Sequence, residues 1–170
     1  MLPNYGNYGD MDLAEISRRT KIDTRRMRYV LEYGLIPNAG KSSKGRGSAR
    51  QFSDPTAFLL TLAALMLDAG LRRPMVKLFT KSIADSFVED VGSLDFNLIA
   101  IPGRVFNIEI ADGVNRRAGT DIDQNTPWRQ IRTGAAIESG YKPLVIIRFD
   151  LAHLVNLLFS PAKMDECQVP

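Results

Sequence analysis

The sequence predicts a mainly α chain with a β component: a basic, helical N-terminal head followed by a small α+β C-terminal unit. Three observations carry that prediction. Between residues 13 and 52 the chain runs a short helix, a tight turn, an arginine-studded second helix and a glycine-broken basic loop. Two further segments, to about residue 87, repeat apolar residues at helical spacing. After Asp90 the pattern changes to short β-branched runs separated by polar stretches, with one last apolar helix near the C-terminal end.

Charge divides the chain in the same place. Residues 1–83 hold 14 Lys/Arg against 7 Asp/Glu, a net +7, whereas residues 84–170 hold 8 against 12, a net −4. The basic half is the expected polyanion-binding module. Usage of cysteine and histidine excludes other classes. Cys167 is the single cysteine and His153 the single histidine, so neither an internal disulfide nor a zinc cluster of usual spacing is available. Residues 1–10 are rich in Asn, Gly and Tyr and lack the apolar core of a signal segment. The longest apolar stretch, 58–67, is interrupted by Thr61 and is too short to span a bilayer. A soluble, cytoplasmic protein with no membrane partner is expected.

The elements follow in order. Residues 1–11 read as a flexible leader, and 12–90 as the head with its following helix. Asp12 with Glu15 gives a capping-box pattern, and Leu13 and Ile16 begin the apolar face of helix one. Asp23 is a good N-cap for helix two, where Met27, Val30 and Leu31 share one side and Arg25 and Arg28 lie away from it. Gly34 ends that helix in the left-handed conformation glycine tolerates. Leu35-Ile36 and Gln51-Phe52 are expected to pair as short strands around the basic loop. Ser53-Asp54-Pro55 starts a helix over 55–69 that is apolar on most sides, so it should be buried, and Gly70 stops it. A helix over 74–87 places Met75, Leu78, Phe79 and Ile83 on one face.

In the C-terminal unit, 91–170, residues 97–101 and 105–110 read as strands joined by a Pro102-Gly103-Arg104 hairpin turn. Residues 113–127 read as a long polar loop and 144–149 as a third strand. Asp150 caps a final helix over 151–159, with Leu151, Leu154, Val155 and Leu158 on its apolar face.

The head so described reads as a winged helix-turn-helix. No acidic residue lies between Glu32 and Asp54, while Lys41, Lys44, Arg46 and Arg50 are spaced by Gly40, Gly45 and Gly47. A surface of that composition faces an anion, and a phosphate backbone fits it best. Gly40-Lys41-Ser42 mimics the end of a nucleotide-binding loop, but the spacing from Gly34 is one residue too long and no apolar strand precedes it. Arg18, Thr24, Arg25, Arg26, Arg28 and Tyr29 are the expected DNA-contacting residues of the helices. Arginine offers two donors to a guanine edge, and hydroxyls suit phosphates. The competing reading is a solvated basic face with Tyr29 in the core.

Leu13-Ala14-Glu15-Ile16-Ser17-Arg18-Arg19-Thr20, then Arg26-Met27-Arg28-Tyr29 and Gly34-Leu35-Ile36, resembles the DNA-binding head of the MerR (mercury-resistance regulator) family. Arg50-Gln51-Phe52-Ser53 resembles that family's wing signature, and the helix ending at Gly70-Leu71 before another helix extends the resemblance over residues 12–83. The family's glycine in the first turn is Lys21 here, so the resemblance implies a backbone conformation that lysine adopts only at some cost. The second tyrosine of the family's pair is Val30, and the wing is longer and richer in glycine. The resemblance further implies a homodimer on a pseudo-palindromic duplex DNA operator, held through a helix after the head, with a variable effector half. The helix over 74–87 is short for that coiled coil.

The remaining candidates are weaker. Phe96, Phe106, Trp128 and Tyr141 are candidates to line a pocket for an unknown small-molecule or protein effector; the alternative is that they form the core of the small unit. His153 lacks a carboxylate-serine or cysteine partner in the pattern. Asp112, Asp121 and Asp123 do not follow the calcium-loop pattern and read as a solvated loop. No catalytic residue, metal ligand or cofactor is expected, and the chain reads as a non-enzyme. Two alternatives stay open: an architectural or excisionase-like DNA-bending protein without an effector, and an interaction module whose basic head binds an acidic partner.

Overall fold

In a computed structural model the described residues are 10–37, 50–86, 96–100, 102–110, 116–121, 131–133 and 145–159. The class is α+β: mainly helical, with an antiparallel sheet contributed by the second half.

Helix α1 spans Leu13–Thr20, and its start is local chemistry: the Asp12 carboxylate accepts from the Glu15 amide at 2.8 Å. The box is only half made, because the Glu15 carboxylate is taken by Arg18 and Arg19. Lys21 closes the helix at φ 59, ψ 16, with its amide donating to the Ser17 carbonyl at 2.8 Å. Among the described residues it is the only non-glycine at positive φ. Helix α2, Thr24–Glu32, begins on Asp23, whose side chain accepts from the Arg25 amide at 2.7 Å. It ends in a double bond pattern around Gly34 at φ 56: Gly34 donates to the Leu31 carbonyl and Leu35 to that of Val30. This is the glycine-dependent Schellman arrangement, and it satisfies carbonyls a helix end leaves open. Ile16, Met27 and Val30 are fully buried between the helices and α3; each such side chain contributes on the order of 1.5–3 kcal/mol.

Helix α3, Asp54–Asp68, follows Ser53 with a proline in its first turn and buries ten of its residues, so it forms the centre of the molecule. Helix α4, Arg73–Ser86, packs beside it. Val76, Phe79, Thr80 and Ile83 form its buried face. Leu78, expected on that face, is instead 38% exposed, because the buried face is turned by one residue, with Val76 and Thr80 in place of Met75 and Leu78. Thr80 fixes the helix to the end of α2: its hydroxyl donates to the Leu35 carbonyl at 2.7 Å in a buried position.

The expected pairing of Leu35-Ile36 with Gln51-Phe52 is not formed. Phe52 pairs with Met11 instead, through amide–carbonyl bonds of 2.9 and 2.8 Å. Leu35 is held by the end of α2 and by Thr80, which leaves Phe52 to a different partner. Met11, read from sequence as the end of the leader, is 5% exposed and belongs to the core.

Of the residues expected as the strand 97–101, 97–99 lie in a short helix instead, α5 at Phe96–Ile99. Strand β1, Val105–Ile110, therefore pairs not with them but with β2, Arg116–Asp121, inside the stretch read as a loop. Strands β3 (Ile131–Thr133) and β4 (Val145–Asp150) complete an antiparallel sheet ordered β3-β2-β1-β4. Period two along β1 sends Phe106 and Ile108 to the core, in register with Phe149 and Ile147 of β4. Helix α6, Leu151–Phe159, starts on Asp150, which accepts from the His153 amide at 2.8 Å, and its first two amides donate to the Arg104 carbonyl. Its apolar face is Leu151, Leu154, Val155 and Leu158, as the spacing predicts.

Aromatic contacts join the second half to the first. Phe96 meets Phe58 of α3 at 5.8 Å and Phe159 of α6 at 4.9 Å, and Phe106 meets Phe79 of α4 at 5.6 Å between ring centres. Such pairs add about 0.5–1.5 kcal/mol beyond the area they bury. Among the described residues no helix is long and apolar enough to cross a membrane.

Candidate nucleic-acid interface

Helix α2 has two chemically opposite sides. Met27 and Val30 face the core, and Arg25, Arg28, Tyr29 and Glu32, spaced as i, i+3, i+4 and i+7, share the other side. Arg25 and Arg28 are exposed, while Thr24 and Tyr29 are half-buried. Among the described residues neither Arg25 nor Arg28 is in an ion pair, so both guanidiniums retain donors for an external acceptor. The Asp23 cap, the left-handed Lys21 and the Gly34 stop fix where the helix begins and ends.

The other expected contacts are already partnered. Arg18 donates to Glu15 at 2.7 and 2.8 Å, and Arg19 to the same carboxylate at 2.5 Å. Hydrogen bonds from Arg18 and then Arg19 lower the Glu15 pKa from an ordinary 4.5 to about 2. Arg26 pairs with Asp68 at the end of α3, at 2.6 Å. Arg50 lies over the Phe52 ring at 5.1 Å, so the wing's expected arginine stacks on its aromatic neighbour. Lys41, Lys44 and Arg46 lie outside the described residues.

Three residues at this surface escape a reading of the sequence. Tyr33 stacks on Tyr29 at 4.5 Å, and Arg73 lies over the Tyr33 ring at 4.3 Å, which extends the polar side of α2 onto the start of α4. Asp68 is the third. The Tyr29–Tyr33 contact is an i, i+4 pair at the end of α2, but no local spacing announces those of Arg73 and Asp68, which the packing of α4 and α3 brings to α2. Together Asp23, Arg25, Arg26, Tyr29 and Asp68 line a cleft of about 370 Å³ between α2 and α3.

Of the candidate effector-pocket residues, Phe96 and Phe106 are buried among other phenylalanines in the core. Trp128 and Tyr141 lie outside the described residues. Among the described residues no three His, Cys, Asp or Glu side chains come together to hold a metal ion. Neither a protein-family model nor a curated protein matches the chain.

Proposed function

We propose that this protein is a sequence-specific regulator of transcription that binds duplex DNA through a winged helix-turn-helix of the MerR kind, with residues 12–90 as its head. Helix α2 enters the major groove and the basic segment between Pro37 and Arg50 lies on flanking phosphates. The observation that supports this most directly is the pair of capped helices joined by a left-handed turn, with Arg25 and Arg28 projecting from the exposed side of the second. The Met11–Phe52 bridge adds support, because it anchors the far end of the basic segment beside α1. The protein acts by binding rather than catalysis, as a homodimer, beside chromosomal DNA in the cytoplasm. Residues 91–170 then serve as the dimerisation or effector unit.

Selection of bound duplexes from a random pool, followed by footprinting of the winning site, tests the reading. A palindromic consensus is the expected result. Arg25→Ala then relaxes preference at one base pair by about 1–3 kcal/mol. Lys44→Ala weakens all duplexes alike and lowers the slope of log affinity against log salt by about 0.9. Equal losses on every sequence for Arg25→Ala would remove it from base reading. Continuous coverage without a discrete site would replace the regulator with the architectural, DNA-bending alternative.

A further inference from the structure

Asp68 contradicts the local rules of its own helix. It is the last residue of α3, where the helix presents its negative end, and the last turn contains no basic residue to offset it. A carboxylate there is disfavoured by the helix and is held from outside by Arg26 of α2, 2.6 Å away. A residue that breaks a local rule while satisfying a distant one points to a functional role.

The surroundings suggest which role. The Arg26–Asp68 pair sits in the cleft of about 370 Å³ that Asp23, Arg25 and Tyr29 also line. The Arg26 guanidinium and the Tyr29 phenol offer donors a phosphodiester accepts, and a carboxylate presents a guanidinium with the same planar, two-oxygen target as a phosphate. Both partners are nearly half exposed, at 46% and 45%, so the pair is weak and open to exchange.

We propose that this cleft seats one backbone phosphodiester of duplex DNA, with the Asp68 carboxylate standing in for it in the free protein and yielding Arg26 to it on binding. The inference rests on the DNA-binding reading and adds to it a built-in competitor that sets affinity without touching a base.

A double-mutant cycle tests it. Arg26→Ala, Asp68→Asn and the double variant are titrated, across a range of salt, with a duplex carrying the selected site and with one of random sequence. Asp68→Asn is expected to tighten both duplexes by the same factor, about two- to fivefold, the range set by an exposed ion pair. Arg26→Ala weakens both alike and lowers the salt slope by about 0.9. In the Arg26→Ala background Asp68→Asn changes nothing, and Asp68→Ser serves as a second variant that removes the carboxylate. Equal tightening in that background would reduce Asp68 to general repulsion of DNA, and weaker binding by Asp68→Asn would make it a prop for Arg26; either result overturns the seat and leaves the DNA-binding reading intact. Failure of the unaltered protein to bind any duplex at low salt overturns both.

Discussion

Replacing Lys21 with glycine should stabilise the protein, and the size of the gain follows from one backbone angle. Lys21 sits at φ 59, ψ 16 between α1 and α2. There the Cβ of an L-residue crowds the following carbonyl, at a cost of roughly 1–2 kcal/mol. Glycine removes that cost, while its greater freedom in the unfolded chain returns roughly 0.4–1 kcal/mol. The side chain is exposed, so no packing is lost. Its charge near the negative end of α1 is lost, at roughly 0.3 kcal/mol for an exposed site. Lys21→Ala loses the same charge but keeps the Cβ, so the difference between the two variants isolates the backbone term. We expect Lys21→Gly to exceed Lys21→Ala by about 0.5–1 kcal/mol. For a chain of this size that is a shift of roughly 1–4 °C in Tm, read alongside a rise in the urea midpoint at unchanged slope. An alanine variant as stable as the glycine variant would refute the reasoning, because the strain would then not reside in the left-handed turn.

Two further perturbations test the packing and the electrostatics. Thr80→Val keeps the buried volume but removes the hydroxyl that donates to the Leu35 carbonyl at 2.7 Å; urea denaturation should show a loss of about 1–3 kcal/mol, whereas Thr80→Ser keeps the bond and loses about 0.8 kcal/mol for one methyl. Glu15 has its pKa depressed in the folded state from 4.5 to about 2, so its contribution is fully present above pH 4.5 and is lost as pH falls through that window. Glu15→Gln should therefore cost about 1 kcal/mol at neutral pH, a value reduced for solvent screening at this partly exposed site. That cost should shrink below pH 4.5 and vanish near pH 2 in acid-unfolding curves, and a pH-independent difference would assign the loss to packing instead.

What could be read in the sequence was whatever a few neighbouring residues decide. Asp12, Asp23 and Asp150 cap helices because a short carboxylate reaches an amide two or three residues on, and Gly34 and Gly70 end helices because their backbones turn left-handed. Helical spacing alone put Met27 and Val30 inside and Arg25 and Arg28 outside. A run as short as 97–101 fits helix and strand equally well, and where a strand was expected 97–99 are helical. Strand β2, Arg-Arg-Ala-Gly-Thr-Asp, carries no alternation at all; its pairing with β1 makes it a strand. The partners of Arg26, Tyr33 and Phe52 were equally hidden, because each depends on where distant helices come to rest.

Charge divides this chain near residue 83, but packing does not. Helix α6 lies against α1 and α3, and Arg19 of α1 donates to the Leu158 carbonyl in the last turn of α6. That guanidinium also holds Glu15, which in turn binds Arg18, so one ionic cluster on α1 reaches from the C-terminal helix to the edge of the candidate interface. The last carbonyls of a helix need outside donors, and α6 obtains one from the head. Phe96 and Phe159 reinforce the same junction by packing under α3 through Phe58. The positions of α1 and α3, against which α2 is set, therefore depend on side chains from both halves. The orientation in which Arg25 and Arg28 are presented is a property of the joined core, and the acidic half contributes to it through packing although its net charge is opposite to that of the head.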